Sequence, residues 1–473
     1  MKKFTKILLI GCLLVMVSCN NWLDVDPKSQ VKDKDLFASE MGFKEALSGV
    51  YSLMTKEGLY GKELTFGWLG VLGQEWTSVP YNYEDDQKYD FENAASEVRI
   101  DSVWTGLYNA IANANKLLKE LEGKENLFSG DNYSIIKGEV LALRAYLHFD
   151  LLRIFGASCA VGMERIAIPY VTEYAPTIFP QEKVGDFVGK VLKDLQDAAK
   201  CLENDPILTG RTVSEIDDNG YLMNRQVHLN YYAVKGLMAM VYLYKGDYAN
   251  AEVCAKEVIG SGCFEWVKQE NLTNESVADL TFSTEHLFAL NIVTLGNIVD
   301  KYLDGGNNSF ALEESRLSEY YGSSYDYRYL YLFKTGVGMS NTLRYLKKYD
   351  QLESVSWAQS YRNKLPLICL PEMYYILAEC RYHSSGDVLE PLNEVCRHRG
   401  VADLSEADLS AFETLLLAEY RKEVIGGGQL FFQYKRLNRS VVPGTDVDLA
   451  GEGRYVIPMP KEELENPGWV SNQ

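Results

Sequence analysis

The stretch 231–260, YYAVKGLMAMVYLYKGDYANAEVCAKEVIG, constrains the fold more than any other part of the chain. Two amphipathic runs are joined by the break Lys245-Gly246-Asp247. In the first run Ala233, Leu237, Met240, Val241 and Tyr244 recur at three- and four-residue steps, so a helix gathers them into one apolar stripe. Ala251, Cys254, Ala255, Val258 and Ile259 do the same after the break. Ala239, Tyr242 and Ala251 fall at the small–aromatic–small spacings of a tetratricopeptide helix pair, a unit of about 34 residues. Small residues let two helix backbones approach, and the tyrosine fills the gap between them. One such pair cannot bury its own apolar face, so further pairs must stack on it.

Three more pairs are legible, at about 41–121, 135–202 and 373–399. In the first, Phe43, Ala46, Leu47, Val50 and Tyr51 share a face of 41–53, and Val103, Leu107, Tyr108, Ile111, Ala114 and Leu118 are in phase over 101–121. The run 135–155 is the longest continuous helix signal and is closed by Gly156. Its partner, 184–202, carries Phe187, Val191, Leu195 and Ala198. Gly386-Asp387 repeats Gly246-Asp247, with Leu377 and Tyr382 standing where Leu237 and Tyr242 stand. The expected fold is mainly α: four TPR-like helix pairs in an α–α superhelical scaffold, with long loop and short-strand insertions at about 58–91 and 264–365. Within the second insertion 286–290 reads as a strand, and the alternating tyrosines of 325–331 as a strand or extended loop. A final helix over 411–425 precedes Gly426-Gly427-Gly428.

The N-terminus sets the address. Lys2, Lys3 and Lys6 precede a short apolar core, 7–17, that ends in Met16-Val17-Ser18-Cys19. That core is shorter than the roughly 20 residues a membrane-spanning helix needs. Residues 1–18 therefore read as a signal peptide. Cys19 is the expected lipidation site at the head of a polar tether, 19–40; an ordinary secretory signal with a chance cysteine is the alternative. The chain carries a formal net charge of −19, and loss of the three lysines makes it more negative. Such a surface repels nucleic acid and anionic headgroups, so nucleic acid is excluded as a partner. Seven cysteines beyond Cys12 and Cys19 show neither CxxC nor metal-ligand spacing. No metal and no cofactor is expected, and whether two of those thiols pair is open.

Five separated motifs resemble the SusD/RagB family of Bacteroidetes surface lipoproteins. Cys19-Asn20-Asn21-Trp22-Leu23-Asp24-Val25-Asp26-Pro27 is similar to the family's start after lipidation. The run 143–156, LRAYLHFDLLRIFG, is similar to its most recognisable helix, and Tyr375-Ile376-Leu377-Ala378-Glu379 to its late IYAEA helix. The runs 419–423 and 428–436 resemble the ERRxEFxxEGxRxxDLKR block, with Gly426, Gly427 and Gln433 departing from it. Tyr455-Val456-Ile457-Pro458-Met459-Pro460 and Asn466-Pro467-Gly468 resemble the closing LxPIP and NPGY. The resemblance covers 41–473 as one SusD-like domain. It implies an outer-membrane, lipid-anchored protein of the cell surface that captures an oligosaccharide and delivers it to a TonB-dependent, SusC-like transporter.

Sugar recognition wants aromatic faces against C–H surfaces, with amides and carboxylates for hydroxyls. The insertion 58–91 has that composition, with Trp68, Trp76, Tyr81 and Tyr83 among Gln74 and Asn82. Trp266, Tyr320, Tyr321 and Tyr325 are the candidates in the later insertion. For each ring singly, packing inside the insertion is the competing reading. Arg144, Arg153 and Lys435 read as scaffold ion pairs, Asp326-Tyr327-Arg328 as structural, and His148 as packed or capping. No HExxH, GxSxG or phosphate loop is present, so no enzyme is expected. The alternative function is a TPR-type interaction scaffold, or a peptide-binding uptake protein, using a concave helical groove.

Overall fold

Local chemistry decides where each scaffold helix begins and ends. The computed structural model describes residues 34–473 apart from 212, 215, 275, 307, 337–341 and 352–360. Cys19, the signal 1–18 and most of the tether lie outside the described residues. Helix α1 (Glu40–Met54) opens on Ser39, whose Oγ accepts from the Gly42 N–H, and buries Phe43, Leu47, Val50 and Met54. Helix α2 (Ala94–Leu121) starts seven residues before its apolar period does. Asn93 Oδ1 accepts the Ala95 and Ser96 N–H groups there, and that cap holds a polar first turn. Helix α3 (Asn132–Phe155) is buried around its whole circumference, as a central helix must be. Helix α4 (Val184–Cys201) lies along it.

The pair 231–260 becomes α5 (Tyr231–Lys245) and α6 (Tyr248–Ile259). Gly246, at φ 80°, and Asp247 return their N–H groups to Leu243 and Tyr242, which closes α5 in a left-handed turn. Asp247 then caps α6 through the Asn250 N–H. Helix α7 (Leu370–Ser384) packs on α6, and α8 (Leu389–His398) on α7, so the four pairs stack in chain order. Tyr242 is buried and its hydroxyl accepts from Gln196 Nε2. Its counterpart Tyr382 is half-exposed and stacks on Phe412, centroids 4.2 Å apart, because α9 (Phe412–Val424) follows there instead of another repeat. After the glycine turn comes α10 (Leu430–Arg436), which the sequence reading did not separate from its motif.

Among the described residues five strands lie in the second insertion and at its end: β1 (His286–Asn291), β2 (Leu312–Glu313), β3 (Phe333–Thr335), β4 (Leu343–Leu346) and β5 (Lys364–Cys369). β1 pairs antiparallel with β5, Leu290 opposite Leu365, as a strand at 286–290 requires. β2, β4 and β3 form a second small sheet in that order. The run 325–331 corrects the expectation of a strand: Tyr327–Tyr331 is a single helical turn. Asp326 accepts the Arg328 N–H and pairs with its guanidinium, a local cap that outweighs the strand preference of tyrosines. The main apolar core runs from Phe37 to Met459, and Val267, Leu272, Ala278, Leu280, Phe282 and Leu332 form a smaller separate cluster in the second insertion.

Candidate functional site

The two insertions fold against each other. Thr77 and Ser78 donate to Ala311 O at 3.0 Å, and the Ala311 N–H returns to Ser78 O. Around that bridge the rings of Trp76 and Tyr83 pack on Phe310, with centroids 6.0 and 5.1 Å apart. Trp68 Nε1 donates to Asp86 Oδ1 at 2.9 Å and Trp76 Nε1 to Phe66 O at 2.7 Å. Tyr83 OH donates to Glu63, and Gln74 Nε2 to Gln87 O at 2.8 Å. All four residues are buried. This corrects the expectation that they present faces and amides to a ligand. A segment of turns and helices no longer than five residues has no long backbone ladder, so its amphipathic rings supply much of its small core and its internal hydrogen bonds.

What the unit offers to solvent is narrower. Tyr81 is 86% exposed, beside the exposed Asn82. Its backbone is nonetheless fixed: Arg99 donates to Asn82 O at 3.1 Å, lies 3.9 Å over the Tyr83 ring and pairs with Asp86. Tyr325 is 76% exposed and adjoins the fully buried Asp326. Trp266 is half-buried, stacked on His398 at 4.6 Å with an interplanar angle of 10°. Tyr321 is buried and donates to Lys422 O at 3.0 Å, which removes it from the candidates on the same ground as Trp68. Tyr320 is half-buried over Arg421 (4.2 Å), and Arg421 Nη1 donates to Gln74 O at 2.9 Å, a further tie between the two insertions.

The charged groups beneath are structural. Arg328 binds Asp326, Glu419 and Glu423, and Arg399 binds Glu285 and Glu423, with both guanidiniums buried. Arg144 holds Asp194 through two bonds of 2.7 Å, and Arg153 pairs with Asp150. Lys435 departs from the ion-pair expectation. Its Nζ donates to the Arg153 and Ile154 carbonyls at the end of α3, and burial drives its pKa well below the ordinary lysine value. His148 is buried at the centre of the scaffold, Nδ1 on Arg144 O and Nε2 accepting from the Val171 N–H, its pKa lowered to about 3 by burial. Glu75 is buried between Arg421, Lys348 and the Gly426 N–H, yet burial still raises its carboxyl to about 7. Among the described residues no three His, Cys, Asp or Glu side chains gather as a metal site, and the seven cysteines are free thiols. Exposed rings on buried anchors can stack on the apolar face of a ligand.

The SusD-like family model, described as starch-binding and associating with the outer membrane, matches residues 21–212. SusD-like protein P38 of Formosa agariphila is 25% identical over 269 residues, 56% of this chain and 47% of that protein. The chain therefore spans about half the length of this curated relative. A SusD superfamily protein from Bacteroides thetaiotaomicron superposes with a TM-score of 0.73 at 20% identity, covering 92% of this chain and 100% of that one. A laminarin-binding SusD-like protein superposes with a TM-score of 0.63 at 18% identity, covering 91% and 100%. The two solved structures share the fold described above.

Proposed function

Because the chain belongs to the SusD/RagB family, we propose that it is a non-catalytic surface lipoprotein that captures an oligosaccharide for a TonB-dependent, SusC-like transporter. The observation that carries the reading is Tyr81, a ring held almost fully in water on a backbone locked by Arg99, beside the amide of Asn82. With its backbone already held, the segment that carries this exposed ring loses little freedom when a sugar face settles on it. Tyr325 supplies a second exposed ring from the other insertion, and Trp266 a half-buried one with a face already on His398. In this reading Cys19 anchors the chain to the outer membrane, and the tether 19–40 sets its reach. The test is titration of the full chain in detergent with neutral oligosaccharides of several linkages. Binding that Tyr81→Ala weakens about tenfold is expected; a chain that binds none of them overturns the reading.

A further inference from the structure

Among the described residues outside the insertions, two surface depressions have the size of a ligand site; one of about 640 Å³ is lined largely by the charged side chains of Glu182, Lys183, Asp186, Lys190 and Lys193, and the other is lined by rings. The latter lies between α2, the crossing 166–180 and the tail 463–469, and encloses about 420 Å³. Small-molecule sites run from roughly 300 to 1,000 Å³. The cavity beneath β5, lined by Glu285, Lys348, Glu372 and Glu423, holds about 30 Å³, room for little more than water.

The walls are aromatic. Trp104 packs on Tyr108 at 4.9 Å and on Trp469 at 6.4 Å. Each ring spends its polar tip inside the protein: Trp104 Nε1 on Glu463 Oε1 (2.9 Å), Tyr108 OH on Pro169 O (2.9 Å) and Trp469 Nε1 on Phe179 O (3.1 Å). Ring surface is what remains for the groove, and Tyr108, Phe179 and Trp469 are only half-buried. Asn109 and Thr105, one turn apart on α2 and both exposed, put an amide and a hydroxyl at the rim. The single charged lining residue among those described is Glu463, so an anion is disfavoured. Both Glu463 oxygens are already held by neutral donors, Trp104 Nε1 and Asn466 Nδ2 (2.7 Å). That leaves a carboxylate able to accept a hydroxyl but engaged in a way a bare cation would not need. The site is also preformed, since Tyr108 OH and Asn115 Nδ2 pin the crossing to α2.

We propose that this groove binds one or two rings of a neutral saccharide, separately from Tyr81 and Tyr325. The inference rests on the reading of the protein as a glycan binder. Rings from α2, the crossing and the tail clasp the C–H faces, and Asn109, Thr105, Asn466 and Glu463 take the hydroxyls.

The full chain in detergent, titrated with maltoheptaose, laminarihexaose, cellohexaose and xylohexaose, tests it through calorimetric stoichiometry and tryptophan emission. Trp469→Ala should remove one saccharide per chain and the emission change, and Asn109→Ala should weaken that site about tenfold. Trp469→Phe, which keeps a ring, should restore the stoichiometry. Asn109 is exposed, so its variant reports on the groove without touching the core. Unchanged stoichiometry and affinity in Trp469→Ala and Asn109→Ala overturn the groove while the parent's binding leaves the glycan reading intact. No binding by the parent overturns both. Saturation by trilysine, with no response to any saccharide, overturns the saccharide assignment in favour of a cationic peptide.

Discussion

Trp76 and Tyr81 stand five residues apart in one aromatic segment and end in opposite environments. Trp76 is buried with its indole N–H on Phe66 O, whereas Tyr81 projects into water. Removing Trp76 leaves a cavity and an unpaired carbonyl, so Trp76→Ala should lower stability by about 3–5 kcal/mol in urea unfolding. Tyr81→Ala should leave stability within about 0.5 kcal/mol while weakening saccharide binding. A Trp76→Ala variant as stable as the parent would show that this ring is not part of the insertion's core. The difference between the two rings was not legible in the sequence. Over 58–91 there is no helical or strand period, and Trp or Tyr beside amides serves an internal core as readily as a sugar site. Where a period exists the reading succeeded, as for Phe43, Leu47 and Val50 on α1. Trp104 was hidden differently: it sits in phase on α2, and only the fold brings Trp469 to it across more than three hundred residues.

At the scale of elements, two glycine turns end helices for different reasons. Gly246, at φ 80°, faces open space between α5 and α6. Gly428, at φ 70°, lies against the first insertion, where an added Cβ would meet Leu64 O at 2.7 Å and Thr65 O at 2.9 Å. Gly246→Ala should therefore cost about 1–2 kcal/mol, the left-handed strain alone. Gly428→Ala adds a clash with backbone that has no rotamer to yield, and should cost clearly more and loosen the 58–91 unit. Hydrogen exchange at the Trp68 and Gln74 amides reads the second effect. Equal losses in the two variants would mean that α9, α10 and the insertion do not bear on each other there. The stacking of pairs was legible because Gly-Asp and the small residues recur. The helical turn Tyr327–Tyr331 was not, because its cause is the Asp326–Arg328 pair and not a period.

Across the whole molecule, buried ionisable groups pull stability in opposite directions as pH changes. Glu139 is pushed up by burial but held at about 2 by His228 and Arg225, and Glu423 likewise by Arg399 and Arg328. His148 and His286 are lowered by burial to about 3 and 4. Glu139 and Glu423 lie below the ordinary carboxyl value, so their contribution is complete above about 4.5 and is lost as pH falls toward 2; that of the two histidines is complete above about 6.5 and is lost as pH falls through 4 toward 3. Glu75 and Glu372 behave the other way. Burial raises both to about 7, against the Gly426 and Cys369 N–H groups and nearby Arg421 and Arg153. Their native forms keep the proton that the unfolded chain gives up near pH 4.5. Their contribution is complete below 4.5 and is lost as pH rises through 7, at roughly 2–4 kcal/mol each. Glu75→Gln with Glu372→Gln keeps the accepting oxygens and removes the proton. The double variant should match the parent at pH 4.5 and exceed it by several kcal/mol at pH 8, measured as urea midpoints at constant m. A difference between the two proteins that stays constant from pH 4.5 to 8 would mean that neither carboxyl is protonated in the folded state. The effect belongs to the whole fold, because Glu75 comes from the first insertion and Glu372 from the fourth helix pair. Only the stack that carries both removes them from water.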